Sequence, residues 1–290
     1  MLIFQWKRRV RGMDDIQQLT VRALTIDLSK GFSRHWHGGD AFRSMYYNAL
    51  SMSFPVGEQF FIDSVRKGMA LLPETPEYAT LRETVEQFVG QEATHRRIHG
   101  LYNQHLEKQG LVNRWERHAQ RRIEYIKRRA YPPITWLAVT AAYEHCTAVF
   151  GDCTLRYASW FDPAEPAMRT LWRWHAAEET EHKAVVFNLY QALDGGYGRR
   201  IAWYLYVVFL FTVESAMQTS LNLWHDGSLF KPRTWWSAAR FFWGKDGAIW
   251  RCAGPLCAYL RRDFHPNQHD NQALAAQWLA DNRQYFRVVR

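Results

Sequence analysis

Along this chain, apolar residues recur every three or four positions in long stretches, separated by short breaks rich in proline and glycine. Phe54, Phe61, Ile62 and Val65 mark the first stretch, and Val85, Phe88 and Val89 the second. Leu137, Ala141 and Ala148 mark the third, and Leu171, Trp172, Val186 and Leu189 the fourth. That period places each set on one face of a helix. The breaks set the bounds. A helix is predicted over 40–72, with a kink or broken turn where Pro55 and Gly57 fall. After a turn at 73–76, a second helix over 77–109 stops at Gly110. Residues 113–129 read as a basic connecting helix, and Pro132 and Pro133 open a third helix that ends near Trp160. Asp162 and Pro163 offer a cap and first residue for a fourth, which stops at Asp194, Gly195 and Gly196. No strand pattern is convincing. The expectation is an all-α protein: a four-helix bundle over 39–196, with a crossover connection between its second and third helices. An N-terminal arm over 1–38 is expected to pack on it and additional C-terminal helices over 197–290 to cover it, the whole forming one compact unit.

The last third has its own pattern. Ile201 to Val213 is almost wholly apolar, about thirteen residues closed by Glu214. A membrane span needs about twenty, so a buried or in-plane helix is expected. Further on, Trp235, Trp236, Phe241, Phe242, Trp243 and Trp250 alternate with Arg240, Lys245 and Arg251. This mix suits an amphipathic segment at a membrane interface. It equally suits a helical cover with an aromatic core, and both hold if the cover also forms an apolar substrate channel over residues 201–260.

Candidate chemistry sits on the helical stripes. Glu58, Glu92, His95, Glu144, Glu179 and His182 read as Glu, Glu-x-x-His, Glu, Glu-x-x-His. Positions i and i+3 share a helix face, and two single Glu plus two such pairs are the ligand pattern of a dinuclear metal site within a bundle. The intervals from Glu58 to Glu92 and from Glu144 to Glu179 are 34 and 35 residues, so the pattern repeats as two helical hairpins. A lone Glu-x-x-His is weak evidence; two copies, each preceded by a Glu at matched distance, are not. Buried carboxylates are costly unless paired or bound to metal. His175 shares the face of Glu179 and His182 and is a candidate seventh ligand. His99 shares the face of His95 and reads as a second-layer group or proton carrier. Glu178 and Glu181 point to either side of Glu179, with surface or supporting duty expected. His145 should face away from the metals.

Charge and cysteines narrow the setting. The formal charge is +9 and there are 14 Trp, with basic clusters at 7–11, 121–122, 127–129, 199–200 and 261–262. An anionic membrane surface is favoured as a partner over nucleic acid, for which no recognition motif is visible. Cys146, Cys153, Cys252 and Cys257 form no C-x-x-C, which argues against structural zinc or a redox dithiol. The opening Met1-Leu2-Ile3-Phe4-Gln5-Trp6-Lys7 puts apolar residues before charge, the wrong order for a signal peptide. A cytoplasmic protein is expected, compatible with a peripheral place at the inner face of the membrane and with a homo-oligomer.

The stretches Phe54-Pro-Val-Gly-Glu58, Gly90-Gln-Glu92-Ala-Thr-His95, Tyr143-Glu144-His145 and His175-Ala-Ala-Glu-Glu179-Thr-Glu-His182-Lys183 resemble the bacterial predicted metal-dependent hydrolases. Phe264-His265-Pro266 extends the match over most of the chain. That resemblance implies a ferritin-like bundle. The His-x-x-x-Glu-x-x-His run also resembles that of the di-iron arylamine N-oxygenases. Four carboxylates with two or three imidazoles suit iron or manganese. The first expectation is therefore a di-iron enzyme that activates O2 and oxidises an apolar or amphipathic substrate, two metal ions per chain, with a separate protein as electron donor. The alternative is a dinuclear hydrolase, with zinc or manganese, acting on an ester or phosphate of a lipid-like substrate. A third reading is non-enzymatic iron handling or a membrane-associated structural protein.

Overall fold

The computed structural model describes residues 18–289. It is built from α1 (Ala41–Met69), α2 (Ala79–Lys108), α3 (Trp115–Arg128), α4 (Pro133–Arg156), α5 (Pro166–His182), α6 (Val185–Ala192), α7 (Tyr197–His225), α8 (Pro232–Trp243), α9 (Ala248–Ala258) and α10 (Gln272–Asp281). The all-α expectation holds, with one correction. Arg22–Leu24 (β1) and Phe286–Val288 (β2) pair as an antiparallel ribbon. Of the expected N-terminal arm, residues 1–17 lie outside the described residues, and with them the basic cluster at 7–11 and the opening Met1–Lys7.

Helices α1, α2, α4 and α5 pack around a common axis and carry the candidate ligands. Asp40 caps α1 by accepting a hydrogen bond from the Arg43 N–H at 3.0 Å. Of the kink or broken turn expected at Pro55 and Gly57, the broken turn is absent, because α1 runs on unbroken through both. Proline donates no hydrogen bond to the carbonyl four residues back, which is that of Ser51. The Asn103 side-chain amide on α2 donates to that carbonyl instead, at 2.9 Å. At the end of α2, Gly110 adopts φ +82 and closes the helix as expected.

The fourth bundle helix differs from its prediction at its start and in its middle, and ends just before Asp194 and Gly195 as expected. It starts at Pro166, which supplies the helix-ready φ expected of Pro163. Asp162 is drawn away from capping, its carboxylate accepting from Arg173 at 2.8 Å. The helix is then interrupted at Lys183 and Ala184, just past His182, and resumes as α6. Where α4 and α5 cross, Gly151 lies so close that a Cβ there would sit 3.0 Å from the Ala176 carbonyl oxygen.

The apolar interior is split in two. One cluster holds Trp36, Tyr47, Tyr102, Trp160, Trp172 and Phe241; the other holds Phe60, Val85, Phe88, Trp136, Val186 and Tyr259. On α1 and α2 the acids and imidazole of the sequence motif fall between the stretch that feeds one cluster and the stretch that feeds the other.

The apolar run predicted to end at Glu214 is the first half of a 29-residue helix, α7. Glu214 does not stop it, because the carboxylate turns inward and pairs with Arg122 of α3, with Nη2 to Oε2 at 2.7 Å. Helix α7 packs on α1 and α4, and α8, α9 and α10 add to the cover.

Candidate metal centre

All seven candidates from the sequence meet in one place. Glu58 comes from α1, Glu92 and His95 from α2, Glu144 from α4, and His175, Glu179 and His182 from α5. Each is buried, none more than 5% exposed, although carboxylates are almost never found so deep without a partner. His182 Nε2 lies 3.3 Å from a Glu92 oxygen, 3.3 Å from a Glu144 oxygen and 3.6 Å from a Glu179 oxygen. His95 Nδ1 lies 3.7 Å from Glu92 and 3.6 Å from Glu179, and His175 Nε2 lies 3.0 Å from Glu179.

Apart from the His175–Glu179 pair, these atoms approach one another without completing hydrogen bonds. Both oxygens of Glu58, Glu92 and Glu144 lack a hydrogen-bond partner, as do Glu179 Oε2, His95 Nδ1 and His182 Nε2. Orphaned buried polar atoms are rare and need an explanation. Here they converge, and three overlapping sets of ligand atoms lie within 4.8 Å of one another: Glu58, His95, His175; Glu92, His95, Glu179; and Glu92, Glu144, His182. Hard oxygen donors with imidazole nitrogen, aimed at shared points, fit divalent metal ions.

The electrostatics agree. Burial pushes Glu58 well above the usual carboxylate range, and the Glu179 charge adds to it. Burial and then Glu144 do the same to Glu92. Burial raises Glu144 to about 7. Burial also works on Glu179, but His182 and His175 outweigh it and hold that acid well below the usual range. His182 is pulled well above the ordinary imidazole value: burial opposes this, and Glu144 and Glu179 overcome it. With protons as the only cations at hand, the cluster gathers protons. A divalent ion would answer the same excess of negative charge.

A second layer fixes which nitrogen of each imidazole faces inward. His95 Nε2–H donates to Glu178 Oε2 at 2.9 Å, leaving Nδ1 for the centre. His182 Nδ1–H donates to Gln91 Oε1 at 3.0 Å, leaving Nε2. For His175 the chain of donors is longer. Asn103 gives its N–H to the Ser51 carbonyl, so its oxygen accepts the Ser51 hydroxyl at 2.8 Å. The Ser51 oxygen then accepts from His99 Nδ1–H at 2.8 Å, and His99 Nε2 accepts from His175 Nδ1–H at 2.9 Å. His175 is left with a lone pair on Nε2, facing Glu179. His99 thus lies behind His175, on the side away from Glu179.

Sequence reasoning did not single out Gln91, Ser51, Asn103 or Arg22, and left Glu178 with a default role. Arg22 of β1 pairs with Glu178 at 3.2 Å and with Glu181 at 2.6 Å, and Gln91 donates to Glu181 at 3.1 Å. One signal was readable. In both copies a polar residue precedes the ligand Glu, Gln91 before Glu92 and Glu178 before Glu179. Each braces the histidine of the opposite helix. His145 does turn away, its Nε2 lying 3.1 Å from the Pro255 carbonyl oxygen.

A cavity of about 490 Å³ opens beside the centre, between α3 and α7. Phe61, Trp115, Tyr143, Val207 and Phe211 line it, and Glu58 is the one candidate ligand in its wall. A smaller pocket reaches His175 and Glu179 and shares Phe54, Thr147 and Phe211 with the larger one.

A family model described as "predicted metal-dependent hydrolase" matches residues 20–270. No curated protein and no solved structure matches the chain.

Proposed function

Because this chain belongs to the family of predicted metal-dependent hydrolases, we propose that it hydrolyses a carboxylic ester of a lipid-like, amphipathic substrate with the help of two divalent ions. The observation that carries this reading is the cavity, apolar along its length and ending at Glu58 beside the convergent orphan atoms. Glu58, Glu92, His95, Glu144, His175, Glu179 and His182 would hold the ions. Bound there, such ions supply an acidified water and polarise a carbonyl oxygen. The chain's own residues do the rest. Phe61, Tyr143, Val207 and Phe211 grip the apolar tail and exclude water. Glu58 reaches the inner end of the cavity and can hold a proton on a carboxyl oxygen that nothing else in the protein engages. Arg122 is the cation in the cavity wall, and Glu214 already neutralises it. The cavity therefore favours a neutral ester over a phosphate.

Oxidation by O2, preferred from the sequence, keeps one observation in its favour: four carboxylates with three imidazoles suit iron or manganese. It would need a separate electron donor, and the family match favours hydrolysis. The deciding experiment is metal content by plasma mass spectrometry, followed by turnover of a series of long-chain aryl esters with and without O2. Zinc or manganese with oxygen-independent ester cleavage supports the proposal. Iron, with oxygen uptake and no cleavage, replaces it with the oxidative reading.

A further inference from the structure

The first half of helix α7 buries Tyr204 and Val207 against the bundle, and its second half turns polar residues inward. Its inward face carries Glu214, Ser215, Gln218, Thr219 and Asn222, all buried. Gln218 accepts from the backbone N–H groups of Arg114 and Trp115 and donates to the Val112 carbonyl; Asn222 donates to the Met45 carbonyl on α1. Its outward face carries Leu205, Phe209, Val213 and Met217, with Phe209 66% and Met217 56% exposed. A surface helix in water keeps its apolar stripe inward, whereas α7 exposes a second apolar stripe on its outer side over several turns. By length and composition α7 is, among the described residues, the one helix apolar enough to cross a membrane. The polar contacts along its inner face tie it flat to the bundle, so lipid could reach only its outer side.

The neighbouring helix supplies charge. Across the cavity from α7, α3 exposes Arg117, Arg121, Lys127 and Arg128. Arg121 and Arg128 make no salt bridge among the described residues. Tyr125 of α3 and Tyr206 of α7, 44% and 45% exposed, both line the cavity, so its mouth opens between a basic helix and an apolar one.

We propose that this face docks on an anionic lipid bilayer, with α7 lying in the plane of the interface and the cavity mouth against the lipid, so that an amphiphile enters from the membrane. Apolar burial and attraction to acidic headgroups act together in such binding. The proposal deepens the reading of a lipid-like substrate but does not depend on the reaction or on metal.

The test is flotation of the full-length protein with phosphatidylcholine vesicles, with and without phosphatidylglycerol, at low and high salt. Binding should require the anionic lipid and weaken as salt rises. Arg121→Gln and Arg128→Gln should each weaken it about fivefold. Phe209→Ser with Met217→Ser should abolish it while circular dichroism and metal content stay unchanged. Metal-stripped protein should bind like the metal-loaded protein, which separates this idea from the hydrolase reading. Failure to float with either vesicle overturns the proposal. So does a stable dimer in sedimentation equilibrium that Phe209→Ser with Met217→Ser dissociates, since the face would then belong to a second copy.

Discussion

Glu144→Gln should stabilise the metal-stripped protein and destabilise the metal-loaded one. Glu144 is 1% exposed, and burial lifts its carboxyl from 4.5 to about 7. A folded-state value above the unfolded one means that, between those limits, the folded chain holds a proton the unfolded chain has released. Stability therefore falls as pH rises from about 4.5 to 7 and levels off above. At 1.36 kcal/mol per pH unit, the loss by pH 8 is about 3 kcal/mol. His182 works in the same direction, since it is held above 6.5 in the fold and keeps a proton that the unfolded chain sheds as pH rises. Glutamine has the carboxyl's shape and no charge to bury. Without metal the variant should match its parent near pH 5 and exceed it at pH 8 by somewhat less than about 3 kcal/mol, because His182 loses a partner. With zinc or manganese added, the order should reverse, because the parent alone keeps the full set of carboxylates. The assay is urea unfolding followed by circular dichroism at pH 5 and 8, with chelator or with metal. Equal stability at pH 8 in chelator, or equal stabilisation of both proteins by metal, would refute the argument.

Three further outcomes are expected. Asn103→Leu breaks the chain of donors that sets the His175 tautomer, and should weaken metal binding roughly tenfold or more in a competitive titration while leaving helicity intact. Glu178→Gln exchanges the carboxyl that His95 Nε2–H meets for an amide and should weaken binding by about 10- to 100-fold; unaltered affinity would reduce Glu178 to a partner of Arg22 only. Val207→Trp fills the cavity wall and should suppress binding of a long-chain ester but not of a short one, at constant metal content.

The candidate ligands were legible because each lies on an apolar helical stripe, where a carboxylate stands out. Their repetition as Glu and Glu-x-x-His supplied the topology. What the sequence hid was of two kinds. Arg22 sits on a strand of three residues, too short for alternation to show, and its partner strand lies at the far end of the chain. Asn103 matters because Pro55 leaves a carbonyl without its usual donor, a relation between two helices that no single-helix pattern contains. The extent of α7 was misjudged for a third reason. Glu214 reads as a stop in a hydropathy pattern, but Arg122 neutralises it and the polar residues after it point inward.

The β1–β2 ribbon also sets an order of events during synthesis. Arg22, which braces Glu178 and lies 5.7 Å from the Phe286 ring centre, leaves the ribosome early. Its strand partner, Phe286–Val288, leaves more than two hundred and fifty residues later, a span of order set by the register of Arg22 on Val288. Until then all four ligand helices can form, yet the brace on His95 has no strand to hold it. On the proposed metal reading, a chain stalled or clipped before Val288 should hold its ions less firmly than one that carries β2.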